Sequence, residues 1–362
     1  MFISQFSPVI VTTLNRHCHF ARLMESLKTN KWAKYTDVFI GLDYPPSNQY
    51  QEGWKKTCEF LEKEDFSIFH NITIIKRNRN YGFENNVEDI LSQIEKKYDR
   101  YIVLEDDLEL SPNYLEYMNK CLHEYKDDPQ VVAVAGYSYP INWDISEGAT
   151  CLKQNINAAA WGRGGWFKKR ALAKGAISSG KMLKELPDVI RTGAYKKMID
   201  VSLMEYIPAA LSPSRKLHKF MYMVCDISMR AYLAVYDKYV ISPVISKVRN
   251  FGFDGSGVYC QDIQQRDNLT ALSYDYGNQP IDMNATFDLI LDKKNSDEEN
   301  RERLNSFDSR TSKQLNEVRK YMWIIQRYGI FTAKVYAYIY LPIKIGKKII
   351  IKLTNVINKQ LK

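Results

Sequence analysis

Short apolar runs alternate with amphipathic stretches through the first third of this chain. Four of the runs have the length and β-branched content of buried strands, and three stretches between them repeat apolar residues at helical spacing. The predicted strands are Pro8–Leu14, Thr36–Leu42, Ile72–Lys76 and Tyr101–Leu104, and the predicted helices are Asn15–Asn30, Gln51–Lys63 and Glu84–Lys97. This order predicts an α/β fold with a mostly parallel sheet flanked by helices on both faces.

The alternation continues for a short distance and then becomes irregular. Asn113–Tyr125 is a predicted helix and Val131–Ala135 a short strand, whereas Ala158–Trp166 is dense in Gly and Trp. Met221–Val235 has a helical pattern and Tyr239–Ile245 the pattern of a strand. Since the chain shows neither internal repeats nor a low-complexity linker, it predicts a single domain with a helical extension at the C-terminus.

The fourth predicted strand ends in three consecutive acids, Glu105, Asp106 and Asp107. The carboxyl ends of parallel strands form the edge where open α/β sheets bind ligands. Adjacent like charges are costly unless a cation neutralises them, and carboxylate oxygens suit Mg²⁺ or Mn²⁺ on a diphosphate. The alternative is an acidic loop after a strand, but the hydrophobic run before the acids and the helix start at Ser111-Pro112 favour a ligand site.

These acids lie in a context that resembles the nucleotide-sugar half of a GT-A (Rossmann-like) glycosyltransferase. The first strand leads into Thr12-Thr13-Leu14-Asn15-Arg16, and the acids are followed by Leu108-Glu109-Leu110-Ser111-Pro112-Asn113-Tyr114. The stretch is similar to the EDD motif of the N-acetylglucosaminyltransferase I type and of bacterial capsule and lipopolysaccharide sugar transferases. Weaker similarities lie at Trp161–Trp166, which is similar to a Gly/Trp-rich turn beside the donor sugar, and at Asn250–Gly257. The resemblance therefore covers roughly residues 7–260.

The resemblance implies roles for particular residues. Asp107 matches the single direct ligand of a Mn²⁺ or Mg²⁺ ion, and Asp226 is similar to the catalytic base. Arg16 matches a residue on the diphosphate side and Asp43 one that contacts the uracil. The full set of implied nucleotide-sugar ligands is Thr12, Arg16, Asp43, Asn80, Glu105, Asp106 and Trp161.

Each of these residues also has a purely structural interpretation. Arg16 is placed where it would be a solvated residue at a helix start, and Asp43 where it would form a turn. Asp226 has the i,i+4 spacing to pair with Arg230. Trp161 has the character of a core aromatic as well as of a platform for a sugar ring.

The basic charge of the chain belongs to its C-terminal end. The net charge is +9, yet residues 318–362 hold ten Lys or Arg and no Asp or Glu, which leaves 41 basic and 42 acidic residues elsewhere. A neutral body argues against nucleic-acid binding. Within residues 343–362, Lys and apolar residues fall on opposite sides of a helix, which predicts binding to an anionic membrane surface. The alternative is a helix packed on its own domain or on a partner subunit.

The sequence therefore predicts a metal-dependent inverting glycosyltransferase. The expected donor is a UDP-sugar, with UDP-GlcNAc favoured by the resemblance, and the expected acceptor is a lipid-linked or surface-polysaccharide glycan. The predicted division is a transferase domain over residues 1–260 (nucleotide-sugar half 7–140, acceptor half 141–260), an extension over 261–317 and a basic tail over 318–362.

Two other functions stay open from sequence. A nucleotidyltransferase that makes a nucleotide sugar shares the sheet, but it needs a Gly-rich signature after the first strand, and Asn15–Arg22 has no Gly. A non-catalytic scaffold of a polysaccharide assembly complex has no need of an intact acidic triplet. The start of the chain has no signal-like run and no long apolar span is present, so we expect a cytoplasmic protein on the inner face of the membrane.

Overall fold

A computed structural model describes residues 5–155, 161–192, 206–211, 220–223, 226–257, 279–294, 299–300, 302–303, 316 and 318–339. The strands in chain order are β1 Val9–Thr13, β2 Asp37–Leu42, β3 Asn71–Lys76, β4 Arg100–Glu105, β5 Leu108–Leu110, β6 Val131–Ala135, β7 Cys151–Gln154, β8 Arg163–Trp166, β9 Tyr239–Pro243 and β10 Val248–Asn250. The helices are α1 His17–Lys28, α2 Gln51–Lys63, α3 Phe83–Ile94, α4 Tyr114–Glu124, α5 Phe167–Ser178, α6 Lys181–Thr192, α7 Tyr206–Leu211 and α8 Asp226–Val235.

Eight strands form one mixed sheet in the order β3-β2-β1-β4-β8-β6-β9-β7. The first four pair in parallel, with β1 between β2 and β4. β8 runs antiparallel to both β4 and β6, and β6 returns to parallel pairing with β9. The predicted fold class, a mostly parallel sheet flanked by helices, is confirmed.

Alternate residues of the central strands bury themselves in two separate cores, one on each face of the sheet. Val9 and Val11 of β1 point into the larger core, which holds the buried face of α1 together with α4. Ile10 points to the other face, where it meets Val87 and Ile90 of α3. Strands buried on both faces read as continuous hydrophobic runs, and this explains why they could be recognised in the sequence.

The resemblance implies a Gly/Trp-rich turn at Trp161–Trp166, and most of that stretch is instead a strand. Residues 163–166 form β8 in the middle of the sheet, while residues 156–160 lie outside the described part of the chain. Gly164 and Gly165 occupy positions where a Cβ atom would come within 2.9 Å of Leu122 and 3.0 Å of Tyr101. Glycine allows these two side chains to approach the strand closely, and it also hides the strand from a search for hydrophobic periodicity.

A second, two-stranded sheet pairs β5 with β10, which are separated by more than 130 residues. Just before β10, the buried Lys247 forms an ion pair with Asp282, and its Nζ donates to Asn113 Oδ1 at 3.1 Å. Asn113 Nδ2 in turn donates to Asp282 at 2.9 Å. This buried network fixes the approach of β10 to the end of β4.

The chain divides into two compact units. The first comprises residues 1–172 and 238–310 and contains the whole sheet, and the second comprises residues 173–237 and 311–362. In the second unit α6 and α7 both contact α8. Residues 318–339 are helical, whereas the predicted amphipathic helix at 343–362 lies outside the described residues. Within the described part of the chain, no helix is long and apolar enough to cross a bilayer.

Candidate active site

Three neighbouring strands end at one edge of the sheet, and each contributes polar side chains there. β1 ends in Thr12 and Thr13, β4 ends at Glu105, and Asp43 follows the end of β2. Because β2, β1 and β4 are adjacent and parallel, their carboxyl ends meet at the same place. The topology therefore assembles residues that are about 90 positions apart in the sequence.

Arg16 holds the second and third acids of the triplet together. Its guanidinium donates from Nη2 to Asp106 and from Nη1 to Asp107 Oδ2, the latter at 3.0 Å. Thr13 Oγ1 also donates to Asp106 at 3.0 Å. Burial lowers the pKa of Arg16, but the two carboxylates raise it by more, so the pKa is raised and Arg16 is always cationic. Arg16 is thus a partly buried partner of the acids rather than a solvated helix start.

Asp107 carries a carboxylate that one arginine does not fully satisfy. Its side chain is buried, and its Oδ1 has no hydrogen-bond partner within the described part of the chain. Burial raises the pKa of Asp107 above its ordinary value, opposed by Arg16 and reinforced by the neighbouring Asp106. A buried oxygen without a partner beside a second acid marks a place where a cationic or donor-rich ligand would be favourable.

A loop that begins at Phe251, directly after β10, packs against this carboxylate. The Phe251 N–H donates to the backbone carbonyl of Asp107 at 2.8 Å, and the Arg22 guanidinium stacks 3.9 Å from the Phe251 ring centre. A Cβ atom at Gly252 would lie 2.8 Å from Asp107 Cγ and closer still to Oδ2. His19 bridges to the same loop, with Nε2 3.1 Å from Asp254 Oδ2. The sequence indicated this loop only as a weak similarity.

Asp43 is buried and organises the turn that precedes α3. Its Oδ1 accepts from the backbone N–H groups of Tyr44 and Tyr81, both at 2.8 Å. Its Oδ2 accepts from the Gly82 N–H at 2.8 Å and from the Asn80 side chain at 3.2 Å. The structure therefore brings Asp43 and Asn80 together. Asp43 stabilises a turn, as its structural interpretation proposed. Its contact with a nucleotide base stays a prediction.

The remaining predicted ligands differ in their surroundings. Thr12 is opposite Glu105 in the β1–β4 register, and its buried Oγ1 finds no hydrogen-bond partner among the described residues. Trp161 is half-buried, with its ring centre 4.7 Å from Tyr137 and 5.8 Å from Phe253. Phe253 belongs to the loop that packs on Asp107, so Trp161 stands next to that loop as part of an aromatic cluster.

The structure does not describe the surroundings of the candidate catalytic base, Asp226. α8 begins at Asp226, but the side chain of Asp226 falls outside the residues whose surroundings the structure describes. Asp226 also belongs to the second compact unit, whereas the acids belong to the first. Its catalytic role stays a prediction from the sequence.

The donor atoms suit a divalent cation held by few protein ligands. No group of three or more His, Cys, Asp or Glu able to bind a metal occurs within the described ranges. Mg²⁺ is commonly held by one or two carboxylates, with substrate phosphates and water completing its shell. Oδ1 of Asp107, which has no hydrogen-bond partner in the described part of the chain, fits that mode, since it offers one buried carboxylate oxygen at the strand end.

No family model matches the sequence, and no curated protein matches it. Parts of the chain are similar to solved structures. S. aureus TarS 1–349 in complex with UDP-GlcNAc matches 48% of this chain and 48% of its own length, with a TM-score of 0.32 and 14% identity. A mannosyltransferase of Pyrobaculum calidifontis, PcManGT, in complex with GDP-Man and Mn²⁺, matches 48% of this chain and 52% of its own, with a TM-score of 0.34 and 13% identity.

Mouse xyloside xylosyltransferase 1 matches 37% of this chain and 53% of its own, with a TM-score of 0.22 and 14% identity. The chain thus spans about half the length of these structures. A likeness of this extent leaves donor, acceptor and reaction to be argued from the residues of the site.

Proposed function

We propose that this protein is a nucleotide-sugar-dependent glycosyltransferase whose donor site is the edge of the sheet formed by β2, β1 and β4. The observation that carries the proposal is the buried Asp107 carboxylate. Arg16 binds its Oδ2, and its Oδ1 has no hydrogen-bond partner among the described residues. A purely structural ion pair has no need of a second acid and an unsatisfied buried oxygen at a strand end. A site for a diphosphate with a divalent cation has a use for both, because the cation pairs with the carboxylate oxygens and with the diphosphate.

The donor would be a UDP-sugar, with UDP-GlcNAc as the first candidate. Asp107 would hold a Mn²⁺ or Mg²⁺ ion through Oδ1, and that ion would supply positive charge to the leaving diphosphate. Arg16 would orient the carboxylates and stay cationic at the diphosphate side. The ribose and the sugar would be lined by Thr12, Glu105, Asp106 and Trp161. Asp43 would contact the uracil, together with Asn80 from the turn before α3.

The reaction would be a single displacement with inversion. The acceptor hydroxyl oxygen forms a bond to the anomeric carbon while the bond from that carbon to the diphosphate oxygen breaks. The nucleoside diphosphate leaves with the bonding electron pair, and the hydroxyl proton passes to a carboxylate, which we assign to Asp226. The acceptor would be a lipid-linked or surface-polysaccharide glycan, reached at an anionic membrane surface that residues 343–362 would bind.

A donor panel tests this proposal. UDP-, GDP- and CDP-sugars are screened for thermal stabilisation of the protein with and without Mn²⁺, and the stabilising donors are then incubated with glycan acceptors. We expect a UDP-sugar to raise the melting temperature only with the metal and to release UDP. Consumption of a nucleoside triphosphate and a sugar phosphate, with release of inorganic diphosphate, would instead identify a nucleotidyltransferase. No stabilisation and no turnover with any donor would contradict both.

A further inference from the structure

The described helical segment 318–339 turns back on itself at Gly329. Gly329 has a φ of 83°, the left-handed conformation that ends many helices. The ring centres of Tyr321 and Tyr336 are 6.1 Å apart, although a straight helix would separate these residues by about 22 Å. Residues 318–328 and 330–339 therefore form two helices side by side, which we call the C-terminal hairpin.

The second helix of the C-terminal hairpin turns large apolar side chains outward. Phe331 is 76% exposed, more than any other large hydrophobic residue in the described part of the chain. Ala333 and Ala337, on the opposite side of the same helix, are buried. The exposed large residues of this helix share one face at helical spacing: Phe331, Val335, Tyr338 and Ile339. A helix in a water-facing position normally places its large apolar residues inward.

The first helix adds aromatic and basic groups to the same hairpin. Trp323 and Tyr328 are more than half exposed, and their ring centres are 5.9 Å apart. Arg319, Lys320 and Arg327 are exposed on this helix. Six of the sixteen exposed large hydrophobic residues of the described chain lie in this short hairpin. An apolar patch of this kind on a soluble surface marks an interaction site.

Charge decides which partner fits. The C-terminal hairpin contains four basic residues, Arg319, Lys320, Arg327 and Lys334, and no acid. A second copy of the hairpin would bring like charges together, whereas the headgroups of an anionic leaflet attract them. Trp and Tyr are enriched at the headgroup level of bilayers, and aliphatic side chains and Phe enter below it.

We propose that the C-terminal hairpin docks onto an anionic lipid bilayer. Phe331, Val335 and Ile339 enter the outer part of the hydrocarbon, and Trp323 lies at the headgroups. This extends the membrane contact proposed above for residues 343–362 to a separate surface. It does not depend on the catalytic residues, so it is tested without any transfer reaction.

The test uses full-length protein and sucrose-loaded vesicles. One set contains phosphatidylcholine with about one third phosphatidylglycerol, and the other contains phosphatidylcholine alone. The variant is the triple substitution Phe331→Ser, Val335→Ser and Ile339→Ser. Its matched control replaces three equally exposed residues elsewhere, Leu172→Ser, Ile245→Ser and Met283→Ser. Circular dichroism checks that both variants keep the helical content of the natural protein.

We expect the natural protein to sediment with the anionic vesicles only, and less at high salt. The hairpin triple variant should lower the partition coefficient by about tenfold or more, and the control should not. Anionic vesicles should also shift the tryptophan emission of the natural protein to the blue, and Trp323→Phe should reduce that shift. Deleting residues 343–362 should weaken sedimentation without removing the difference between the two triple variants.

Three results would overturn the proposal. One is that the hairpin triple variant sediments with the anionic vesicles as strongly as the natural protein does. Another is that deletion of residues 343–362 removes all binding to the vesicles, while the hairpin triple variant binds them as the natural protein does. The third is light scattering that shows a dimer which the hairpin triple dissociates while vesicle binding is unchanged, since that outcome assigns the face to a second copy. A protein that binds vesicles through the hairpin but transfers no sugar would refute the catalytic proposal alone.

Discussion

Gly252 lies so close to Asp107 that a single added carbon atom would touch the carboxylate. A Cβ atom there would be 2.8 Å from Asp107 Cγ, and Gly252 is not among the glycines with a left-handed φ. The need for glycine is therefore one of space next to the acid, rather than of backbone conformation. The loop after β10 thus forms one wall of the candidate site at the end of β4.

Gly252→Ala should disturb the site while the charges stay as they are. We expect a loss of about 1–3 kcal/mol in the free energy of unfolding, because overpacking forces a shift, and a loss of metal-dependent donor binding. Isothermal calorimetry with UDP and Mn²⁺ measures the binding. Gly175→Ala is the control, since a Cβ atom at that helical position meets nothing within 4 Å. Natural UDP affinity in Gly252→Ala would mean that this loop does not shape the donor site.

Arg16 should stabilise the fold through the two acids it joins. Arg16→Gln leaves two adjacent buried carboxylates without their cation, and we expect a loss of about 3 kcal/mol in the free energy of unfolding. Adding Asp107→Asn to that variant should restore part of the loss, because it removes one of the uncompensated charges. Urea unfolding of the natural protein, both single variants and the double variant gives the coupling energy. Additive effects would show that Arg16 and Asp107 act independently.

The raised pKa of Asp107 predicts a pH dependence of stability. Because the folded protein holds the proton more tightly than the unfolded chain, the contribution of Asp107 to stability is full below its ordinary pKa. It is lost as the pH rises through the raised pKa. The free energy of unfolding of Asp107→Asn relative to the natural protein should therefore rise with pH over that window and then level off. A difference that is constant with pH would contradict the raised pKa.

Much of this architecture is readable from the sequence, because strands buried on both faces leave continuous apolar runs. α2 and β6 occur at their predicted bounds, and the acids lie at the end of β4 as expected. β5 and β10 were not predictable, since each has three residues and they pair across the chain. A similar limit applies to Gly252, because the sequence shows its loop only as a weak similarity at Asn250–Gly257 and does not indicate that the loop packs on Asp107.

The partners of Asp107 show the same limit. The resemblance implies that Arg16 lies on the diphosphate side, but its bridge to Asp106 and Asp107 depends on the adjacency of β1 and β4. Thr13 and His19 had no sequence signal apart from their positions beside Thr12 and on α1. Contacts across neighbouring strands follow from the order of the strands in the sheet. A periodicity pattern predicts the strands but not which of them are neighbours.

Asp226 should matter for turnover rather than for donor binding. Loss of a general base costs about 10²–10⁴-fold in kcat, so Asp226→Asn should lose that activity and keep its affinity for the donor. Arg230→Gln is the control, because it breaks the i,i+4 pairing that is the structural interpretation of Asp226. If both variants lower stability alike and keep turnover, Asp226 is a pairing residue and Asp254, next to His19, becomes the candidate base.

Calorimetric titration of UDP into the natural protein and into Asp107→Asn, each with and without Mn²⁺, tests the central claim most directly. Asp127→Asn serves as the control, since Asp127 is an exposed acid in the loop after α4. We predict that UDP binds the natural protein and Asp127→Asn only when Mn²⁺ is present. Asp107→Asn should keep its fold and lose the metal-dependent binding. Equal UDP affinity in Asp107→Asn and the natural protein with Mn²⁺ would contradict the assignment of this site to a nucleotide-sugar donor.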